Sequence, residues 1–170
     1  MMVKITFIIG EGKGKTSLSV GFTFQQYLNA KSILFVQFLK TGKDCGECYY
    51  FSSKDDVRWF TFGKDEFYQN ENQKKQYTAL MSEGVSIIER ELEQNKTDIL
   101  ILDEAGIALF FDLLSWERLH KLFKYVKEEI ILTGRKFPDN VIKNADVIVK
   151  VNKIKHPYDK GIKARRGIDF

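Results

Sequence analysis

Ile8-Ile9-Gly10-Glu11-Gly12-Lys13-Gly14-Lys15-Thr16-Ser17 closes an apolar run, Val3 to Ile9, and opens a stretch with helical spacing, Lys15 to Asn29. A glycine-rich turn between a strand and a helix is the plain reading. The chemistry at the helix start argues for more. A helix N-terminus carries roughly half a positive charge and unpaired N–H groups, so it attracts phosphate. In the loop G-x-x-x-x-G-K-[ST] the lysine reaches phosphate oxygens and the hydroxyl holds Mg²⁺. Gly14-Lys15-Thr16 supplies the end of that pattern, but the first glycine position holds Ile9 and Gly10 comes one residue late.

Moving outward, further short apolar runs recur at Ser32 to Phe38, Val57 to Phe62, Asp98 to Leu102, Glu129 to Leu132 and Val147 to Val151. They are nearly continuous in hydrophobicity, as parallel strands covered on both faces are. Helical spacing separates several of them, over Lys15 to Asn29, Glu71 to Asn95 and Leu114 to Lys124, the last with Ser115 as its cap. Alternating strands and helices predict an α/β fold, a mainly parallel sheet of about six strands flanked by helices, and with the glycine-rich loop after its first strand it resembles the P-loop NTPase (RecA-like) type. Leu39 to Asp56 reads as a long, charged, loop-like insert, the kind of segment that often carries function.

Asp98-Ile99-Leu100-Ile101-Leu102-Asp103-Glu104 is an apolar strand that ends in two acids. Two acids after a strand can be solvated or cap the next helix. Coupled with Gly14-Lys15-Thr16, at the sheet edge where open α/β sheets bind ligands, they point to the Mg²⁺ of a nucleoside triphosphate. Thr16 and Glu104, with Asp103 behind them, are the metal-contact candidates. Gly10, Glu11, Gly12, Lys13, Gly14, Lys15, Thr16 and Ser17 are the expected nucleotide-binding loop, and Arg135, after another strand, should reach the same edge or else pair with a neighbouring carboxylate.

The rest of the chain is ordinary in composition. Its 170 residues suit one domain, 1–170, and 44% hydrophobic with 29% charged residues fits a soluble globular protein. No apolar stretch reaches the roughly 20 residues of a membrane span, and Lys4 interrupts the N-terminal run, so no membrane attachment and a cytoplasmic location are expected. The net charge of +4 sits in the tail: Lys150 to Phe170 holds seven basic residues against two acids. Cys45 and Cys48 form a lone Cys-x-x-Cys, short of the four ligands of structural zinc, and are read as two reduced thiols, with a redox or metal role as the alternative. No nucleophile–base pair suggests itself, and His120 falls in an apolar helical segment.

Several motifs in order resemble the P-loop type corrinoid adenosyltransferases. Gly10-Glu11-Gly12-Lys13-Gly14-Lys15-Thr16 is similar to that family's shortened loop G-N-G-K-G-K-T. Val36-Gln37-Phe38-Leu39-Lys40 resembles its V-Q-F-x-K, Gly46-Glu47 its G-E, Leu102-Asp103-Glu104 its L-D-E, Thr133-Gly134-Arg135 its T-G-R and Ala145-Asp146 its A-D. Lys155-His156-Pro157-Tyr158-Asp159-Lys160-Gly161-Ile162 is close to its K-H-P-[FY]-D-x-G-I.

The resemblance implies transfer of the 5′-deoxyadenosyl group of ATP to cob(I)alamin or another reduced corrinoid. ATP would lie reversed in the loop, with triphosphate as leaving group, Mg²⁺ or Mn²⁺ as cofactor, and Lys15 and Arg135 as triphosphate stabilisers. It also implies a homodimer, an electron-donating flavodoxin or reductase, and a basic tail, 152–170, that folds back on the active site with His156 in a structural role. Glu11 stands where the family has Asn, and 147–151 read V-I-V-K-V in place of V-T-E-M. The corrin-facing G-x-G-F-T-W is echoed only loosely by Gly63 to Tyr68, which leaves Phe67 and Tyr68 as the corrinoid contacts. Two other readings compete: a thymidine-kinase-like phosphotransferase, which would carry two zinc-binding cysteine pairs, and an ATP-driven nucleic-acid-binding module using the basic tail. No base-reading element supports the latter.

Overall fold

The structure, a computed structural model, describes residues 2–43, 45–66, 68–155 and 161. Six strands, β1 (Lys4–Ile9), β2 (Ile33–Phe38), β3 (Val57–Phe62), β4 (Thr97–Asp103), β5 (Val126–Gly134) and β6 (Val147–Lys150), form one sheet in the order β3-β2-β4-β5-β1-β6. Every neighbouring pair is parallel. The helices are α1 (Lys15–Leu28), α2 (Gly46–Phe51), α3 (Lys74–Gln94), α4 (Ala105–Phe110), α5 (Trp116–Leu122) and α6 (Asp139–Ile142). All six expected strands are present, and β5 is longer than its apolar centre implied.

Why the apolar runs become strands is visible in the burial. β2 and β4 are buried along their whole length, because helices cover both faces of the sheet centre. The two-residue alternation of a strand sorts their side chains between two cores. Phe7, Leu34, Val36, Phe38, Leu100 and Leu102 face one side, where they meet Tyr77, Met81, Val85, Ile88 and Leu92 of α3 at helical spacing. Ile8, Ile33, Phe35, Ile99, Ile101 and Ile131 face the other side, under α1 and α2. Each such buried aliphatic or aromatic side chain contributes roughly 1.5–3 kcal/mol relative to exposure. At the margin, β6 is exposed along its length.

That alternation also fixes where the polar residues go. Gln37 follows the parity of Ile33 and Phe35, Asp103 that of Ile99 and Ile101, and Thr133 that of Ile131. All three are buried on the α1 face, at the carboxyl ends of adjacent strands.

Local signals hold at several boundaries. The Ser115 hydroxyl caps α5 by accepting the Arg118 N–H at 3.2 Å. The segment from Glu71 starts as a 3₁₀ turn, Glu71–Gln73, and becomes α-helical at Lys74. The expected loop from Leu39 to Asp56 contains α2, whose Phe51 is buried against Tyr27 and Trp59. One expectation fails: Cys45 and Cys48 are joined in a disulfide rather than held as two thiols. Cys45 precedes α2, and the first helical turn brings residues three apart together, so the spacing itself places the sulfurs in reach. Phe67 and most of the motif from Lys155 to Ile162 lie outside the described residues, as does most of the basic tail.

Candidate functional site

The glycine-rich loop joins β1 to α1 at the carboxyl edge of the sheet. Gly10 has φ 126° and its N–H donates to the Gly134 carbonyl at 3.3 Å. A Cβ there would come within 2.3 Å of the Val151 carbonyl oxygen, so only glycine fits between the loop and the chain leaving β6. Gly12 is held by its N–H to the same carbonyl at 3.2 Å. Gly14, at φ 110°, precedes α1 and faces open space.

Lys15 is buried, and its Nζ donates to the Gly12 carbonyl at 3.1 Å, bending the side chain back over the loop. Burial holds its amine below the ordinary 10.5 and Arg135 lowers it further, while Glu104, Asp103 and Glu11 pull it up. Lys13 and Ser17 are exposed at the loop and first turn. Arg135 leaves β5 and approaches Glu11 at 4.0 Å, both side chains being largely exposed. That pair adds little stability. It does set a guanidinium beside the loop, and it answers what a carboxylate does at position 11.

Asp103 is the hub. Fully buried, it accepts hydrogen bonds at Oδ1 from Thr133 Oγ1 at 2.6 Å and from Thr16 Oγ1 at 3.1 Å. Its Oδ2 accepts from Gln37 Nε2 at 3.2 Å and pairs with Lys40 Nζ at 2.7 Å. Lys40 also donates to Thr16 Oγ1 at 3.0 Å. The strand carrying Asp103, β4, is separated from β1 by β5, and Thr133 on β5 bridges the gap. Thr133 Oγ1 also accepts the Glu104 N–H at 3.0 Å.

Glu104 adopts the left-handed conformation, φ 57°, between β4 and α4. The break in strand geometry turns it out of the alternation and into the field of the site. Burial and the neighbouring Asp103 raise its carboxyl above the ordinary 4.5, opposed by Lys40, Lys15 and Arg135.

Thr16, Asp103 and Glu104 therefore converge as oxygen donors, the set a Mg²⁺ ion takes together with phosphate oxygens and water. The Lys40 ammonium already occupies a cationic position on Thr16 Oγ1 and Asp103 Oδ2, so the electrostatics there favour a positive charge. Among the described residues no group of three or more His, Cys, Asp or Glu is placed to hold an ion unaided. The donor set fits a metal shared with a nucleotide.

A family model of the ATP:corrinoid adenosyltransferases BtuR/CobO/CobP matches residues 3–170. The chain belongs to this family. A corrinoid adenosyltransferase of Sinorhizobium sp is 29% identical over 170 residues, spanning 95% of this chain and 77% of that one. The corrinoid adenosyltransferase of Escherichia coli K12 is 26% identical over 168 residues, 98% of this chain and 85% of its relative. The family is one of transferases, and it implies ATP and a corrinoid as substrates. Among solved structures, the flagellar accessory protein FlaH of Methanocaldococcus jannaschii superimposes with a TM-score of 0.52 at 14% identity, over 86% of this chain and 70% of that one. This likeness concerns the fold alone.

Of the residues expected at a corrinoid site, Tyr68 is half-buried on the α3 side, its ring 5.5 Å from Tyr77 and 5.1 Å from Phe111. Phe110 and Phe111 end α4 and are both substantially exposed. His120 is exposed on α5, against Trp116 and Phe123, away from the loop. Gln37, Lys40 and Thr133 join the site, although in the sequence they stand only as parts of motifs. A polar residue within a buried strand, at the parity of the α1 face, is the signal that would have placed Gln37 and Thr133 in the site. No helix of the described residues is long and apolar enough to cross a membrane.

Proposed function

We propose that this adenosyltransferase-family chain moves the 5′-deoxyadenosyl group of ATP onto the Co(I) of a reduced corrinoid and releases intact triphosphate. The observation that carries this reading is the convergence of Lys15, Thr16, Asp103, Glu104 and Arg135 on one loop at the sheet edge, in a member of this family. Co(I) brings its own electron pair: the Co–C5′ bond forms as the C5′–O bond breaks, and the electrons leave on the triphosphate oxygen. Protein groups are then needed for position and charge rather than for nucleophilic attack.

Lys15 and the loop amides bind the triphosphate, and Arg135 exchanges Glu11 for phosphate. Thr16, Asp103 and Glu104 would hold Mg²⁺, which when bound supplies further positive charge to the leaving group. Tyr68, with Phe110 and Phe111 one short helix away from Glu104, offers an apolar surface for the corrin ring; α4 is only about 9 Å long, at 1.5 Å per residue. The reading carries with it a single working domain, a homodimer, a cytoplasmic setting and a flavodoxin or reductase that delivers the electron.

Phosphorus NMR of the products formed from ATP and chemically reduced corrinoid tests the direction in which ATP sits. Intact inorganic triphosphate is the expected product. ADP with phosphate, or a phosphorylated acceptor, would show that the loop holds ATP for phosphoryl transfer.

A further inference from the structure

The disulfide between Cys45 and Cys48 has no evident structural task. It joins residues three apart, and a loop that short removes little freedom from the unfolded chain. The core is already large, and both cysteines sit half-buried at the rim of the sheet edge. What distinguishes the pair is its neighbour. Gln37 Oε1 lies 3.3 Å from Cys48 Sγ and 3.9 Å from Cys45 Sγ, and it also receives the Trp59 Nε1–H at 3.4 Å. The other end of the same buried carboxamide donates to Asp103, the hub beside the phosphate loop.

We propose that Cys45 and Cys48 form a reversible disulfide/dithiol site, with a dithiol as its reductant, and that its state is passed through Gln37 to Asp103. A disulfide sulfur has no hydrogen, so in the oxidised form Gln37 Oε1 has Trp59 as its side-chain donor. In the reduced form the Cys48 thiol adds a second, weak donor and fixes the carboxamide with Nε2 on Asp103. Reduction begins with a thiolate of the reductant on Cys48 Sγ. The S–S bond breaks and the electron pair leaves on Cys45 Sγ, which already accepts the Cys48 N–H at 3.2 Å and is the better-stabilised thiolate. The second thiol of the reductant then attacks its own sulfur in the mixed disulfide and frees Cys48. Two electrons and two protons pass to the protein, and the reductant departs as a disulfide.

The coupling rests on the loop 10–17 being the nucleotide site, but needs no corrinoid. The full chain is equilibrated with graded ratios of reduced to oxidised dithiothreitol, its thiols counted by the mass added by a maleimide, and its affinity for ATP measured calorimetrically in each state. The expected result is a titration from no thiols to two, with ATP affinity changing by about threefold, the size of one weak hydrogen bond. The Cys45→Ser/Cys48→Ser double variant should lose the dependence. Gln37→Leu should keep the thiol titration and lose the change in affinity, which a purely structural role for Gln37 would not produce. A pair fixed in one state across the range, or a titrating pair with unchanged affinity, overturns the proposal and leaves adenosyl transfer untouched. ATP that binds in neither state overturns both.

Discussion

At the scale of single residues, the site is built from charges that the fold holds at some expense. Lys15 is the clearest case: burial lowers its pKa, so the fold sheds a proton that the unfolded chain keeps up to 10.5, and its contribution to stability rises as pH climbs through that window. On the proposed function that cost is offset by the charge of a bound triphosphate. Lys15→Ala is therefore expected to leave urea stability within about 1 kcal/mol of wild type. It should cut turnover by at least about a hundredfold, as loss of a transition-state charge donor does. Near-normal turnover in the variant would remove Lys15 from the triphosphate site. Glu104 has the opposite sign. Above 4.5 the unfolded carboxyl has lost its proton while the folded one retains it, so stability falls as pH rises through the folded value. Glu104→Gln should flatten that slope and raise the melting temperature at neutral pH while lowering metal-dependent activity. Thermal scans across pH check it, and a lower melting temperature at neutral pH would contradict the buried-charge account.

At the scale of elements, the loop between β1 and α1 is where geometry is least forgiving. Gly10→Ala places a methyl group against the Val151 carbonyl, which is itself tied by Val151 N–H to the Ile9 carbonyl at 2.8 Å and by Gly12 N–H. With a positive φ as well, the expected cost is about 2–3 kcal/mol, read as a lower urea midpoint at unchanged slope. An unaltered midpoint would mean the loop and the chain after β6 do not pack as described. The strands, α1, α3 and α5 were legible because each spans enough residues for its hydrophobic period to show. Helices α2, α4 and α6 have four to six residues, too few for a period; the segment that holds α2 reads as loop, and α4 and α6 carry no helical signal of their own. The site divides in the same way. Lys15, Thr16 and Asp103 announce themselves by local pattern, whereas Gln37, Lys40 and Thr133 enter through strand pairing that joins β2, β4 and β5. The Cys45–Cys48 bridge is hidden in the sequence because the helix that unites the two sulfurs is too short to show a period.

At the scale of the whole molecule, the order β3-β2-β4-β5-β1-β6 is what makes a site at all. It inserts β5 between the strand that leads into the glycine-rich loop and the strand that carries Asp103, leaving a gap at the carboxyl edge that Thr133 spans from below. Lys15, Arg135 and Lys40 line that gap with positive charge, and α4, which starts beside it after Glu104, ends in the exposed Phe110 and Phe111. On the proposed function this edge takes a polyanionic leaving group next to a flat apolar substrate. The most direct measurement of this account is an anaerobic assay of the purified chain with MgATP and chemically reduced cobalamin, following the Co(I) absorbance and isolating the cobalt product. The account predicts loss of Co(I) with formation of a light-sensitive adenosylcobalamin. Persistent Co(I) in the presence of bound ATP would contradict it.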